Sequence, residues 1–124
     1  MTISENKQHQ EDLVLTKALC QLAQFYSLTG KQLSKIIGIS ESSASRLGQG
    51  NKLISSHSKE GEISLLLIRI YRSLNAMVGN NHEKAKLWLN SENKYFNNRP
   101  LEEMMTIPGL IRVLDYLDAM RGKL

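Results

Sequence analysis

Gly30-Lys-Gln-Leu-Ser-Lys-Ile-Ile-Gly-Ile-Ser-Glu-Ser-Ser-Ala-Ser-Arg-Leu-Gly-Gln49 has the length and spacing of two short helices joined by a tight turn. Thr29 is placed to cap the first helix, over residues 31–37, and Ser40 to cap the second, from Glu41 to about Leu47. Gly38 supplies a residue free to take positive φ at the turn, and Ser34 is small where the helices approach. Leu33, Ile37, Ile39, Ala44 and Leu47 are spaced to lock the pair at a steep angle, as in a DNA-binding helix-turn-helix. Ala44 is smaller than the aliphatic residue usual at its position. On this reading Lys31, Ser42, Ser43, Ser45, Arg46, Gln49 and Lys52 form the nucleic-acid face. Arg46 would read guanine edges, the serines would reach bases or phosphates, and the lysines would sit near the backbone. One basic residue on the reading helix is sparse, so affinity would rest on a dimer presenting two such helices ~34 Å apart.

Outward from this unit the pattern stays helical, and the fold class is all-α. Residues 1–10 read as a disordered polar tail. From Glu11 to Tyr26, Leu15, Ala18, Leu19, Leu22, Ala23 and Tyr26 recur at helical steps. A Ser- and Gly-rich loop spans 51–61. The segment from Glu62 to Val78 is apolar on nearly every side, which predicts a helix buried all round that also serves as a homodimer seam. Gly79-Asn-Asn81 stops it, and residues 82–90 form another helix carrying Trp88. Pro100 and Pro108 open two further helices, with a short extended piece allowed only at Lys94–Phe96. The resulting division is a tail over 1–10, a helix-turn-helix unit over 11–57 and a small helical, dimerising C-terminal domain over 58–124.

Composition narrows the function. The chain has 124 residues and a formal charge of +4, enough for one domain or two small units sharing a core. The mild basic excess permits nucleic-acid binding without requiring it, and it is spread over both halves. The lone Cys20 forms no intramolecular disulfide, which fits a reducing compartment. No signal peptide or membrane span is expected, because residues 1–12 are polar and the apolar run 63–71 is short and broken by Arg69. The reading is a cytoplasmic protein with no membrane partner. His9, His57 and His82 are scattered, and no nucleophile, phosphate loop or metal spacing is found. No catalytic residue, cofactor or metal is expected.

The last segment, Gly109-Leu-Ile-Arg-Val-Leu-Asp-Tyr-Leu-Asp-Ala-Met-Arg-Gly-Lys-Leu124, sets Leu110, Val113, Leu114, Leu117 and Met120 on one helical stripe. Arg112, Asp115, Tyr116, Asp118 and Arg121 fall on the other side, with Asp118 and Arg121 within pairing reach. Such a helix either closes its own core or is offered to a partner.

Ser58-Lys-Glu-Gly-Glu62, Leu65–Leu74, Trp88-Leu89 with Asn93, Arg99-Pro-Leu101, Gly109-Leu110 and Tyr116-Leu-Asp-Ala-Met-Arg-Gly122 resemble the Xre/MbcA/ParS antitoxins that accompany RES-domain toxins. The resemblance implies a helix-turn-helix that represses its own operon and a C-terminal domain that sequesters a cognate RES-domain toxin, an NAD-degrading enzyme. It further implies that the C-terminal helix enters the toxin's active-site cleft, with Tyr116, Asp118, Arg121, Gly122, Lys123 and Leu124 in contact. Asp118 or the Leu124 carboxylate would then stand in for a nucleotide phosphate. The residues themselves also fit a transcriptional regulator whose C-terminal half only dimerises or senses a ligand, or an adaptor that no longer touches DNA.

Overall fold

The structure, a computed structural model, describes residues 2–123. Within these residues seven helices follow one another: α1 (Ile3–Phe25), α2 (Gly30–Ile37), α3 (Glu41–Gly48), α4 (Lys59–Met77), α5 (His82–Asn90), α6 (Pro100–Glu103) and α7 (Ile107–Arg121). Among the described residues there is no strand; the only β feature is an isolated Asn93–Asn98 bridge. The piece at 94–96 is therefore the turn enclosed by that bridge and is not extended.

The polar segment 3–10, read from sequence as a disordered tail, is the first two turns of α1. Thr2 Oγ1 accepts from the Glu5 amide while the Glu5 carboxylate accepts from the Thr2 amide, so two otherwise orphaned N–H groups are satisfied. One turn on, Gln8 Nε2 donates to Asp12 Oδ1 at 2.7 Å and to Ser56 Oγ at 3.1 Å. Hydropathy patterning sees none of this, since capping and polar cross-links hold the segment.

Helix α4 is the hub. It packs against α1, α2, α5 and most extensively α7. The prediction of burial on every side needs correction. The buried positions of α4 include Gly61, Ser64, Ser73 and Asn75 beside Leu67, Ile68, Ile70 and Leu74, while Leu65 is 48% exposed. A helix with neighbours on several sides needs small residues where their backbones approach. A methyl group on Gly61 would overlap the Ser55 carbonyl, and one on Gly109 in α7 would overlap the Glu103 carbonyl. Those two glycines are dictated by space alone.

Four polar clamps fix the order of the helices. Thr16 and Asp12, one turn apart on α1, accept from the backbone amides of Ile54 and Ser56, at 2.9 and 2.8 Å, and so pin the loop that feeds α4. The buried Tyr26 hydroxyl donates to Asn75 Oδ1 at 3.0 Å and joins the ends of α1 and α4; burial pushes its pKa up. Glu103 accepts from Arg112 at 2.7 Å and from Asn98 at 3.2 Å, holding α6 and its preceding turn against α7. Asp118 on α7 spans two residues one turn apart on α4, accepting from Ser73 Oγ at 2.8 Å and Arg69 Nη2 at 3.1 Å.

Two measurements follow. The Ser56 amide bond holds the Asp12 carboxyl below its ordinary pKa, and the Arg112 hydrogen bond does the same for Glu103. A depressed folded pKa contributes stability above the unfolded value, lost as pH falls through the folded one. Asp12→Asn therefore lowers stability at pH 7, and its deficit relative to wild type shrinks below about pH 4 in urea titrations. Secondly, Asp118→Ala strips the buried Ser73 hydroxyl of its acceptor and costs about 1–3 kcal/mol in the same assay. Asp118→Asn loses less, and Arg121→Ala, on the exposed last turn, changes stability by less than about 0.5 kcal/mol.

Candidate functional site

Two separate surfaces carry the residues singled out by sequence. The first is the α2–α3 pair. Thr29 caps α2 with a reciprocal Gln32 bond, and Ser40 caps α3 by accepting from the Ser43 amide. Between them Gly38 sits at φ 79°, in the left-handed region that glycine enters without strain. Ser34 is buried where the helices meet, its hydroxyl returned to the Lys31 carbonyl at 2.8 Å. Ala44 and Leu47 are buried beneath α3, and Leu33, Ile36 and Ile37 beneath α2.

The burial pattern leaves a serine-rich outer face on α3. Ser42, Ser45, Arg46 and Gln49 follow at steps of three and four, so they form one stripe, and all four are exposed. Lys31 is exposed at the start of α2; Ser43 and Lys52 are half-buried. Arg46 Nη2 donates to Ser43 Oγ at 3.2 Å, and Ser40 Oγ lies within 3.1 Å of both Ser42 Oγ and Ser43 Oγ. The face is thus a chain of short hydroxyls ending in one guanidinium, all capable of rotating toward an incoming acceptor.

The second surface is the far end of α7. Leu110, Val113, Leu114 and Leu117 are buried, as the stripe requires, and Met120 is half-buried. Sequence places Asp118 opposite Arg121; the structure instead gives both its carboxylate oxygens to Ser73 and Arg69. A short buried hydroxyl one turn along α4 from a flexible arginine makes a better fixed partner than an exposed side chain on the same helix. Asp118 is therefore an anchor of α7. Tyr116 is half-buried, its ring stacked on Trp88 with centroids 6.1 Å apart. Arg121, Gly122 and Lys123 are exposed. Leu124 lies outside the described residues.

Beside Tyr116 lies a group that sequence reading overlooked. Tyr95 is 69% exposed and rests on Tyr116 and Phe96, with centroids 4.7 and 5.0 Å away. Phe96 meets Trp88 and Tyr116 edge-on at 6.4 and 5.3 Å. The aromatic pair inside an Asn-rich turn was the signal available for it.

Elsewhere, an open groove of about 740 Å³ runs between α1 and α4, lined by Val14, Leu15, Ala18, Leu65 and Ile68 together with Lys7, Arg69 and Arg72. Among the described residues no three His, Cys, Asp or Glu side chains gather where they could hold a metal ion. Among the same residues no helix is long and apolar enough to cross a membrane.

The two halves of the chain match two known protein-family models. Residues 5–69 match the antitoxin Xre-like helix-turn-helix domain, which spans more than half the chain. Residues 73–123 match the antitoxin Xre/MbcA/ParS C-terminal toxin-binding domain. The search of curated proteins returned no match. The α2–α3 geometry, the helical fold and both matches agree, and the chain belongs to the Xre/MbcA/ParS-type antitoxins.

Proposed function

We propose that this antitoxin neutralises a cognate RES-domain, NAD-degrading toxin with the end of α7, and represses its own operon through α3. The observation that carries the first half is the contrast within α7. Its body is locked by Leu110, Val113, Leu114, Leu117 and the Asp118 clamp, whereas Arg121, Gly122 and Lys123 project uncovered from the last turn. A rigid stem with a free polar tip suits a narrow cleft, because little conformational freedom is lost when the stem docks. A cleft built for a dinucleotide presents phosphate-binding cations and ribose-facing acceptors. The Asp118 or Leu124 carboxylate would meet the cations, Arg121 and the backbone around Gly122 the acceptors, and Tyr116 would supply apolar area behind them.

For the second half, the stripe Ser42–Ser45–Arg46–Gln49 enters a major groove, with Lys31 and Lys52 against phosphates and Ser43 released from Arg46 to reach the backbone. One guanidinium per reading helix gives modest affinity, so two copies act together on a cytoplasmic operator. The apolar α1–α4 groove, with Val14 68% and Leu65 48% exposed, is the surface that supports this self-association.

Co-expression with the toxin and promoter binding separate the two activities. Arg46→Ala loses about 1–3 kcal/mol of operator affinity in a mobility-shift titration and still rescues growth. A chain ended at Met120 keeps Asp118 and its clamp, folds, binds operator and fails to rescue. Full rescue by that shortened chain contradicts the assignment of the tip.

A further inference from the structure

We infer that the toxin is gripped by a second, preorganised element: the exposed Tyr95 ring and the aromatic platform beneath it form a docking anchor beside the α7 tip. This inference rests on the toxin-neutralising reading above and extends it to a surface outside α7.

Tyr95 has no evident role in the fold. It is 69% exposed and does not belong to the half-buried shell that packs on the core, whereas Trp88, Phe96 and Tyr116 do. Yet the turn that carries it is tightly built. Asn93 and Asn98 exchange backbone hydrogen bonds at 3.0 and 3.4 Å, the Tyr95 amide donates to Asn93 Oδ1 at 2.9 Å, and Asn97 takes φ 54°. Asparagine tolerates that left-handed conformation better than most residues, which accounts for the Asn-rich composition of the loop. The turn thus holds an aromatic ring out toward solvent, where it buries little area of its own protein.

Such a ring loses few rotamers on association, and tyrosine and tryptophan dominate the energetics of protein interfaces. Its position names the occupant. Tyr116 and Met120 are one turn apart on α7, so the platform lies on the side of the helix that leads to its exposed last turn. Tyr95, Trp88, Phe96 and Tyr116 all fall within residues 73–123, the stretch matching the toxin-binding domain. The partner surface is then an apolar pocket able to take a phenol ring, next to the cleft that receives residues 121–123. Two anchors at the ends of one stripe fix the angle at which the tip enters.

The test is calorimetric titration of the full chain with the purified RES-domain toxin proposed as its partner. Tyr95→Ala weakens binding at least about tenfold with an unchanged melting temperature, and Tyr95→Phe, which keeps the ring, stays within about threefold of wild type. Ile3→Ser, on the exposed first turn of α1 and outside every surface assigned above, leaves toxin affinity unchanged. Wild-type affinity in Tyr95→Ala overturns this inference alone. So does a Tyr95→Ala chain whose own oligomeric state shifts in light scattering, since the patch is then a contact between copies. A wild-type chain that does not bind the toxin overturns both readings.

Discussion

A nineteen-residue helix that packs against four others has room for large side chains only where those neighbours stand off. Helix α4 obeys that constraint with Gly61, Ser64, Ser73 and Asn75 among its buried positions, and the rest of the molecule is arranged around the consequences. Gly61 lets the loop at Ser55 come close, and the polar residues give the end of α1 and helix α7 something to hold. Asn75 receives the Tyr26 hydroxyl, and Ser73 with Arg69 receives Asp118. Each bond is worth little beyond about 1 kcal/mol, but a wrong register would strand a buried polar group at greater cost. Polar pairing therefore sets the register, and apolar burial supplies the bulk of the stability.

That division explains what could be read from the chain. The positions of α2, α3, α5 and α7 follow from caps, glycine stops and apolar periodicity. Thr29, Ser40, Gly38 and Pro108 act locally, and local signals survive in sequence. The course of residues 3–10 was hidden because its support is a capping box and a hydrogen bond from Gln8 to Ser56, forty-eight residues away. The apolar look of residues 62–78 misled for a related reason. Composition counts leucines without showing that Leu65 points outward while Ser64 is sealed.

The candidate site was legible in the same measure. The α3 stripe emerges from spacing, since every third or fourth residue of a capped helix shares a face. The commitment of Asp118 to α4 could not be foreseen from α7 alone, because its partners lie forty-five and forty-nine residues earlier. Tyr95 was missed because a loop has no periodicity to interrogate; its importance shows only once the ring is seen lying over Tyr116. These two findings are linked. Asp118 is held by α4 while its side chain stays 40% exposed, residues 121–123 lie uncovered beyond it, and the aromatic platform widens the surface beside them. A helix locked at its base and flanked by rigid rings is better suited to occupy a cleft than a loose charged terminus would be.

The most direct measurement of this account is amide hydrogen exchange of the full chain with and without the RES-domain toxin proposed as its partner. The account predicts that toxin binding slows exchange at the turn carrying Tyr95 and over the last turn of α7, and leaves α3 unchanged. Protection confined to α3 or to the α1–α4 groove, with the Tyr95 turn and the end of α7 exchanging as in the free chain, would contradict it.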